Sequence, residues 1–592
     1  MRRQAALAWA LLLSISAATC DVVEGSSEYA QAITFFGVDA KYQPGFEHFD
    51  FVNPHAPKGG VLILPTPAGF DTLAPLWGIQ TPPMGLEWTY DTLVTPRYGE
   101  MGTFYGRLAE GIRIAADRRS LTMRIHPHAR WHDGTPIVAD DVRFTVNAYS
   151  DSALGQLLGW IDAVEVRGEM EIAFRLREDL KLRNILVLSW LPIMPAHYWR
   201  DRDVGEPTMA PPLGSGPYRI VAADGGRFVH YARVADYWGR DLPVNRGFHN
   251  FDEIRVDVYR DATVAREAFR KGLFDVWIEP DTRHWATGYD FPARDRGEIG
   301  MKEFLPGDAD QAGINRAVVF NQRLPRFRDQ QVRRALSLAM DFDWLSRVLL
   351  FGLHERAESY FAGIPGMQAR GNPQGAELAL LETFREQLPV EVFSRDLPLA
   401  NGGELRDRLV KARSLLRQAG WVVRDGKLVD DRGEQFRLQF LTASLEDQRV
   451  LLPYLASLET LGISCDLRVV DAAPYANLRR DYDYDALLID IDFPVPPAAF
   501  LRGSFHSTAP APGNPAGIDD PIVDALIGLA EASRTLPEMS AAVRALDRVL
   551  LQGSHMVLLD ANEPVRLVYW NRFGLPDWQA MVLFPSAWWY EP

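Results

Sequence analysis

The sequence predicts an α/β protein of more than one lobe, and three observations carry that reading. Its 592 residues exceed what one hydrophobic core serves, so two or three lobes are expected. Strand-like alternation and helical spacing follow one another along the chain, as at 119–150, 252–271 and 436–470. The composition, 47% hydrophobic and 24% charged, is that of an ordinary packed globular protein.

Taken in order, a strand is expected at 60–64 after the aromatic and proline-rich stretch 41–60. Leu121, Met123 and Ile125 alternate with polar residues, as in a half-buried strand. His132-Asp133-Gly134-Thr135-Pro136 supplies turn chemistry, and Asp140 and Asp141 occupy the first turn of a helix, where the dipole favours acid. Val142, Val146 and Tyr149 repeat behind them at helical spacing. Val138 stands at the capping position, a weaker cap than Ser or Thr by about 1 kcal/mol. Residues 160–178 predict two strands joined near Gly168, and Leu213-Gly214-Ser215-Gly216-Pro217-Tyr218 predicts a sharp glycine turn into a strand at 218–222. A strand at 252–260 leads to a helix at 262–271 that Gly272 ends. Val332, Ala335, Leu336 and Ala339 share one inward helix face, which leaves Arg333 and Arg334 to solvent. Residues 360–404 carry little periodicity and predict an extended loop. A helix at 405–419 stops at Gly420; Trp421, the Asp425-Gly426 turn and 436–441 predict a hairpin. Then come a helix at 443–462, a strand at 463–470, a strand at 483–492 and a second proline- and glycine-rich stretch at 494–517.

Arg2 and Arg3 followed by apolar 5–18 and small Ser16, Ala17 and Ala18 form a secretory signal pattern, too short for a typical spanning helix. Cleavage after Ala18 yields a soluble periplasmic protein; cleavage before Cys20 yields a lipoprotein. Cys20 and Cys465 are the only cysteines; no disulfide is expected between them, and Cys465 is read as a small buried hydrophobe. A net charge of −15 argues against a nucleic-acid partner and serves solubility. Aromatic area is generous, with 16 Trp, 19 Tyr and 30 Phe.

No cluster commits the chain to catalysis, metal or cofactor. GxSxG, HExxH, GxGxxG and the P-loop pattern are absent. His354-Glu355 is followed by Arg-Ala-Glu, and His126, His128 and His132 are read as a polar strand end. Asp481, Asp483 and Asp485 lack the glycine a calcium loop needs, since Ala486 stands there. Asp490-Ile491-Asp492-Phe493-Pro494 is the strongest ligand candidate, two carboxylates at a strand end beside a proline-rich loop. A buried carboxylate calls for a cationic partner, which an ammonium ligand supplies. The backbone of Leu488, Ile489, Asp490 and Ile491 offers an edge for an extended peptide to join.

Together, W-x-DGTP at 131–136 with the following acid-capped helix, Pro192-Ile193-Met194-Pro195-Ala196-His197, LGSGPY at 213–218 and the FN…P…D…VRRAL…AMD run at 320–341 resemble the extracellular solute-binding proteins of family 5, the capture subunits of ABC importers. HFDFVNPHAPKGG at 48–60, PGNPAGI at 512–518 and DPIVDALI at 520–527 resemble its YejA-type branch, associated with oligopeptides, microcin C and cell-wall peptides. The resemblance implies a type II periplasmic-binding-protein fold of the large, three-domain kind, two-lobed, with ligand held between the lobes. It implies a signal peptide at 1–20, domain I at 21–64, 192–282 and 555–592, domain II at 65–191 and domain III at 283–554. It further implies a monomeric, non-catalytic periplasmic protein that delivers oligopeptides to an inner-membrane permease, with nickel or haem binding, or a derived hydrolase or sensor, as alternatives. Asp492 corresponds to the residue that pairs with the peptide α-amine in the family, although Phe493-Pro494-Val495-Pro496-Pro497 replaces the usual polar run. Trp77-Gly78-Ile79-Gln80-Thr81 occupies the family's other strand-like contact segment.

Overall fold

The computed structural model describes residues 29–591 apart from 77–80, 97–98, 153, 305–310, 395–402, 562 and 577–583. The chain divides into two compact units, one holding 281–288 and 305–564, the other holding 20–280, 289–304 and 565–592.

In the second of these, Val61–Thr66 pairs in parallel with Glu253–Val258, and Phe228–Arg233 and Tyr218–Asp224 complete a four-stranded sheet. A separate antiparallel sheet runs Ala109–Ile114, Ser120–Ile125, Glu171–Leu176, Ile161–Val166. Its second strand feeds the turn at 132–136 and the helix Ala139–Ser150. Val138 provides no side-chain cap, as expected. Asp141 compensates: its Oδ2 accepts from Val138 N–H at 2.9 Å, and its Oδ1 accepts from Ala196 N–H at 2.8 Å. In the preceding turn, Asp133 accepts from Thr135 N–H and pairs with His197 Nε2 at 2.9 Å, which joins two distant motifs. The glycines of LGSGPY answer to packing rather than to a left-handed turn. A Cβ at Gly214 would stand 2.0 Å from the Thr89 carbonyl oxygen, and one at Gly216 would stand 2.5 Å from that of Trp88. The long motif at 48–60 is likewise structural. Phe49, Phe51 and Val52 are buried with Tyr105 and Val244, and Lys58 donates to the Phe248 carbonyl and to Asn250 Oδ1, both at 2.6 Å. Burial, with the charge of Arg233 adding to it, pushes the Lys58 amine down to about 8.

The other unit is built on a six-stranded mixed sheet in the order Glu355–Arg356, Met556–Ala561, Gln311–Phe320, Ala486–Pro494, Arg437–Thr442, Ser464–Val469. One face carries Val318, Phe320, Leu438, Phe440, Leu488, Val557 and Leu559 against the helices Gln330–Leu338, Leu405–Gln418 and Leu445–Glu459. On the opposite face Phe493 packs, with tilted rings, against Phe361 and Phe505, whose centroids are 5.2 and 5.9 Å away.

Several sequence expectations give way here. Arg333 is buried rather than solvated, because it donates to the carbonyls of Phe327, Arg328, Gly553 and Ser554 and so caps the long helix Leu536–Gly553. Burial draws its guanidinium down to about 10. The 360–404 stretch is not loop throughout: Gly375–Glu382 is helical. The Asp425-Gly426 turn does make a hairpin, but the partner strand is Lys427–Val429, and 437–442 joins the large sheet instead. Cys465 is partly rather than fully buried, on the last strand of that sheet, and burial pushes its thiol up to about 12.

Candidate functional site

The strand Ala486–Pro494 places most of the candidate residues. A strand alternates its side chains, and here the alternation divides them by role. Ile489, Ile491 and Phe493 point to one face and are buried at 5%, 7% and 0% exposure. Leu488 points to the other face and is buried in the helical core. Asp490 and Asp492 follow Leu488 on that face but are exposed. The side chains of Phe493, Leu488, Ile489 and Ile491 are therefore committed to the core.

The two edges of the strand differ. One is paired along its length with Gln311–Phe320, from Phe320 opposite Ala486 to Gln311 opposite Pro494. The other meets Arg437–Thr442 only at Ala486 and Leu487. Among the described residues no strand pairs with that edge from Leu488 onward. The first neighbour is held close by Gly313, opposite Asp492, where a Cβ would fall 2.0 Å from the Ile491 carbonyl oxygen. Past Gly313 it bulges between Ile314 and Ala317. Such bulges re-aim side chains at sheet ends.

Neither Asp490 nor Asp492 has a side-chain hydrogen bond or ion pair among the described residues. Residues two apart on a strand are separated by roughly 6.7 Å. Although Asp492 is exposed as a residue, partial desolvation of its carboxyl, with the negative charge of Asp490 adding to it, pushes its pKa up. Asp447, at the start of the helix Leu445–Glu459, belongs to the same acidic field. Its carboxyl accepts from Thr442 Oγ1 at 2.9 Å, and its pKa is raised by burial and by the charge of Asp490. Sequence reasoning passed over Asp447; the Ser444-x-x-Asp447 spacing, a capping pattern, was its only signal.

Thr81 lies in the other compact unit, where its N–H donates to Asp71 Oδ1 at 2.8 Å and its carbonyl accepts from Asp71 N–H at 3.0 Å. Gly78, Ile79 and Gln80 fall outside the described residues. A second group, His354, Asp560 and Glu563, gathers on the far side of Gln311–Phe320. Separations of more than 200 residues hid that group from a reading by spacing.

Two carboxylates without a side-chain partner among the described residues, beside a strand edge likewise unpaired there, can take an ammonium group and an extended backbone together. The model of the bacterial extracellular solute-binding proteins, family 5 (middle), matches residues 103–511. The chain belongs to this family. Among its relatives, the probable peptide-binding protein YejA of Agrobacterium fabrum is 36% identical over 571 residues, 93% of this chain and 92% of that protein. The peptidoglycan-binding protein YepA of the same organism is 32% identical over 560 residues, 90% of each chain. A solved structure, the ABC transporter-associated periplasmic binding protein DppA from Helicobacter pylori in complex with peptide STSA, superposes with a TM-score of 0.68. Its identity is 18%, with 90% of this chain and 99% of that one covered. The fold is thus the α/β fold of family 5 periplasmic binding proteins, and the YejA-type branch indicated by 48–60 holds across nearly the whole chain. These family 5 relatives are binding proteins, and the family is extracellular. Among the described residues no helix is long and apolar enough to cross a membrane.

Proposed function

We propose that this chain captures oligopeptides for an ABC importer, delivers them to an inner-membrane permease and performs no catalysis on them. The observation that carries the reading is the pair of carboxylates, Asp490 and Asp492, without side-chain partners among the described residues and beside a strand edge with no described partner beyond Leu487. In this reading Asp492 takes the peptide α-amine, with Asp490 adding to the negative field. The strand that carries Leu488, Ile489, Ile491 and Phe493 accepts the peptide along its other edge, while Gly78, Ile79, Gln80 and Thr81 form a second contact segment. Backbone pairing gives affinity without dependence on side-chain identity, as a peptide scavenger requires. The names of YejA and YepA support a peptide ligand, and that of YepA favours the peptide portion of peptidoglycan. The same reading includes removal of 1–20 as a signal peptide, a periplasmic monomer and Cys20 as the point of any lipid attachment.

Native mass spectrometry of freshly purified mature protein, with ligand release and sequencing, tests this directly. A ladder of co-purifying peptides is the expected result, and D-amino acids or diaminopimelate among them would narrow the ligand to cell-wall fragments. A protein that carries no peptide, and whose melting temperature no peptide library shifts, would end the reading.

A further inference from the structure

His354, Asp560 and Glu563 bring one nitrogen and two carboxylate oxygens within 4.8 Å of one another. The arrangement is directional. His354 Nδ1 lies 2.7 Å from Asp560 Oδ2. Asp560 is also gripped by Arg316, through Nε at 2.9 Å and Nη2 at 2.7 Å. Arg316 Nη2 also lies 3.1 Å from His354 Nδ1, so that nitrogen is committed to the Asp560–Arg316 pair and Nε2 is the one turned away from it. Nε2 faces Glu563 Oε1 at 3.3 Å and the Thr282 hydroxyl at 2.9 Å. A nitrogen, a carboxylate oxygen and a hydroxyl therefore converge on one point.

The spacing suits a metal ion. Two ligand atoms each about 2.0–2.1 Å from a tetrahedral zinc stand roughly 3.3–3.4 Å apart. The remaining contacts suit one as well. A metal-binding imidazole ordinarily donates its other N–H to a carboxylate that fixes its orientation, the place Asp560 already fills. The surroundings carry excess negative charge: burial, reinforced by Asp281 and Glu563 and only partly offset by Arg316, pushes the Glu446 carboxyl up. The His354 side chain is 1% exposed and that of Glu563 is 25% exposed, so the site is enclosed yet open to solvent on the glutamate side. Arg316 occupies the Asp560 side of the ring, which confines any ion to the Nε2 side.

We propose that His354 Nε2, Glu563 and the Thr282 hydroxyl bind one zinc-class divalent ion, with Asp560 as the carboxylate that orients the histidine. This site is distinct from Asp490 and Asp492, and its existence does not depend on what those residues bind.

The full mature chain, stripped with a chelator, would be titrated with Zn²⁺ by calorimetry and followed by thermal unfolding. One ion per chain and a raised melting temperature are expected. Glu563→Gln, a change at a partly exposed position, should abolish both while leaving the circular dichroism spectrum and peptide binding intact. Asp560→Asn should weaken the ion by about 10- to 100-fold. Replacing His126 and His128 by alanine together should change neither. Failure of the wild-type chain to bind a stoichiometric ion, with only a proton shared between Nε2 and Glu563, would overturn the assignment. So would stoichiometric binding that survives both Glu563→Gln and His354→Gln.

Discussion

Asp492 and Asp560 sit on the two strands that flank Gln311–Phe320, one on each side, and they are opposites in environment. Asp560 is fully buried, and burial alone would raise its pKa. The bonds from His354 and Arg316 outweigh that, so its carboxyl is held below the ordinary range. Asp492 is exposed, has no side-chain partner among the described residues, and is pushed the other way. A carboxylate whose partners come from its own chain is part of the architecture. Asp492, next to a like charge and with no side-chain partner among the described residues, stands open to solvent instead. The proposed amine contact at Asp492 rests on that contrast more than on either residue alone.

The comparison breaks most visibly at Arg316. Replacing it with Met leaves Asp560 buried without its cation and should cost about 3–5 kcal/mol in urea unfolding. The Asp492 counterpart should behave inversely. Asp492→Asn should change stability by less than about 0.5 kcal/mol, yet weaken an N-terminally free peptide by roughly 10- to 100-fold in calorimetry. The same peptide with an acetylated amine should bind wild type and variant alike. Equal losses for both peptides would remove Asp492 from amine recognition. Between these extremes, Gly313→Ala should cost about 1–3 kcal/mol, because its Cβ must displace the Ile491 carbonyl, and should loosen peptide binding along with stability.

Acid titration sharpens the contrast further. The folded pKa of Asp560 is depressed, so its contribution to stability is present above the unfolded value of about 3.9 and is lost as pH falls through the lower folded value. The folded pKa of Asp492 is raised, so it protonates earlier on acidification and adds no stability at neutral pH. Peptide release should therefore begin above the ordinary aspartate range while the fold still holds. Parallel fluorescence unfolding and ligand-release curves against pH would show two separated transitions, and coincident curves would contradict the assignment. The smallest expected effect is at Lys58. Its amine, lowered to about 8, should be modified by an acylating reagent at a lower pH than the other lysines, as peptide mapping would detect.

Much of this molecule was legible in its residues. Strand alternation at 121–125, the glycine-containing turn at 132–136 and the inward face at 332–339 are local patterns, fixed by two- and 3.6-residue periods that need no distant partner. The motifs at 48–60 and 213–218 carried the family, and Asp490 and Asp492 stood out as acids at a strand end. Tertiary structure decided what surrounds those residues. Whether an arginine faces water depends on which carbonyls lie nearby, and Arg333 found four of them, two more than 200 residues away. Whether an aspartate is scaffold or site depends on its partners, and those of Asp560 come from positions 316 and 354. Periodicity reports which face a side chain takes. Only packing brings charges from distant segments within a few ångströms, where the energy of pairing them, or of leaving them unpaired, is decided.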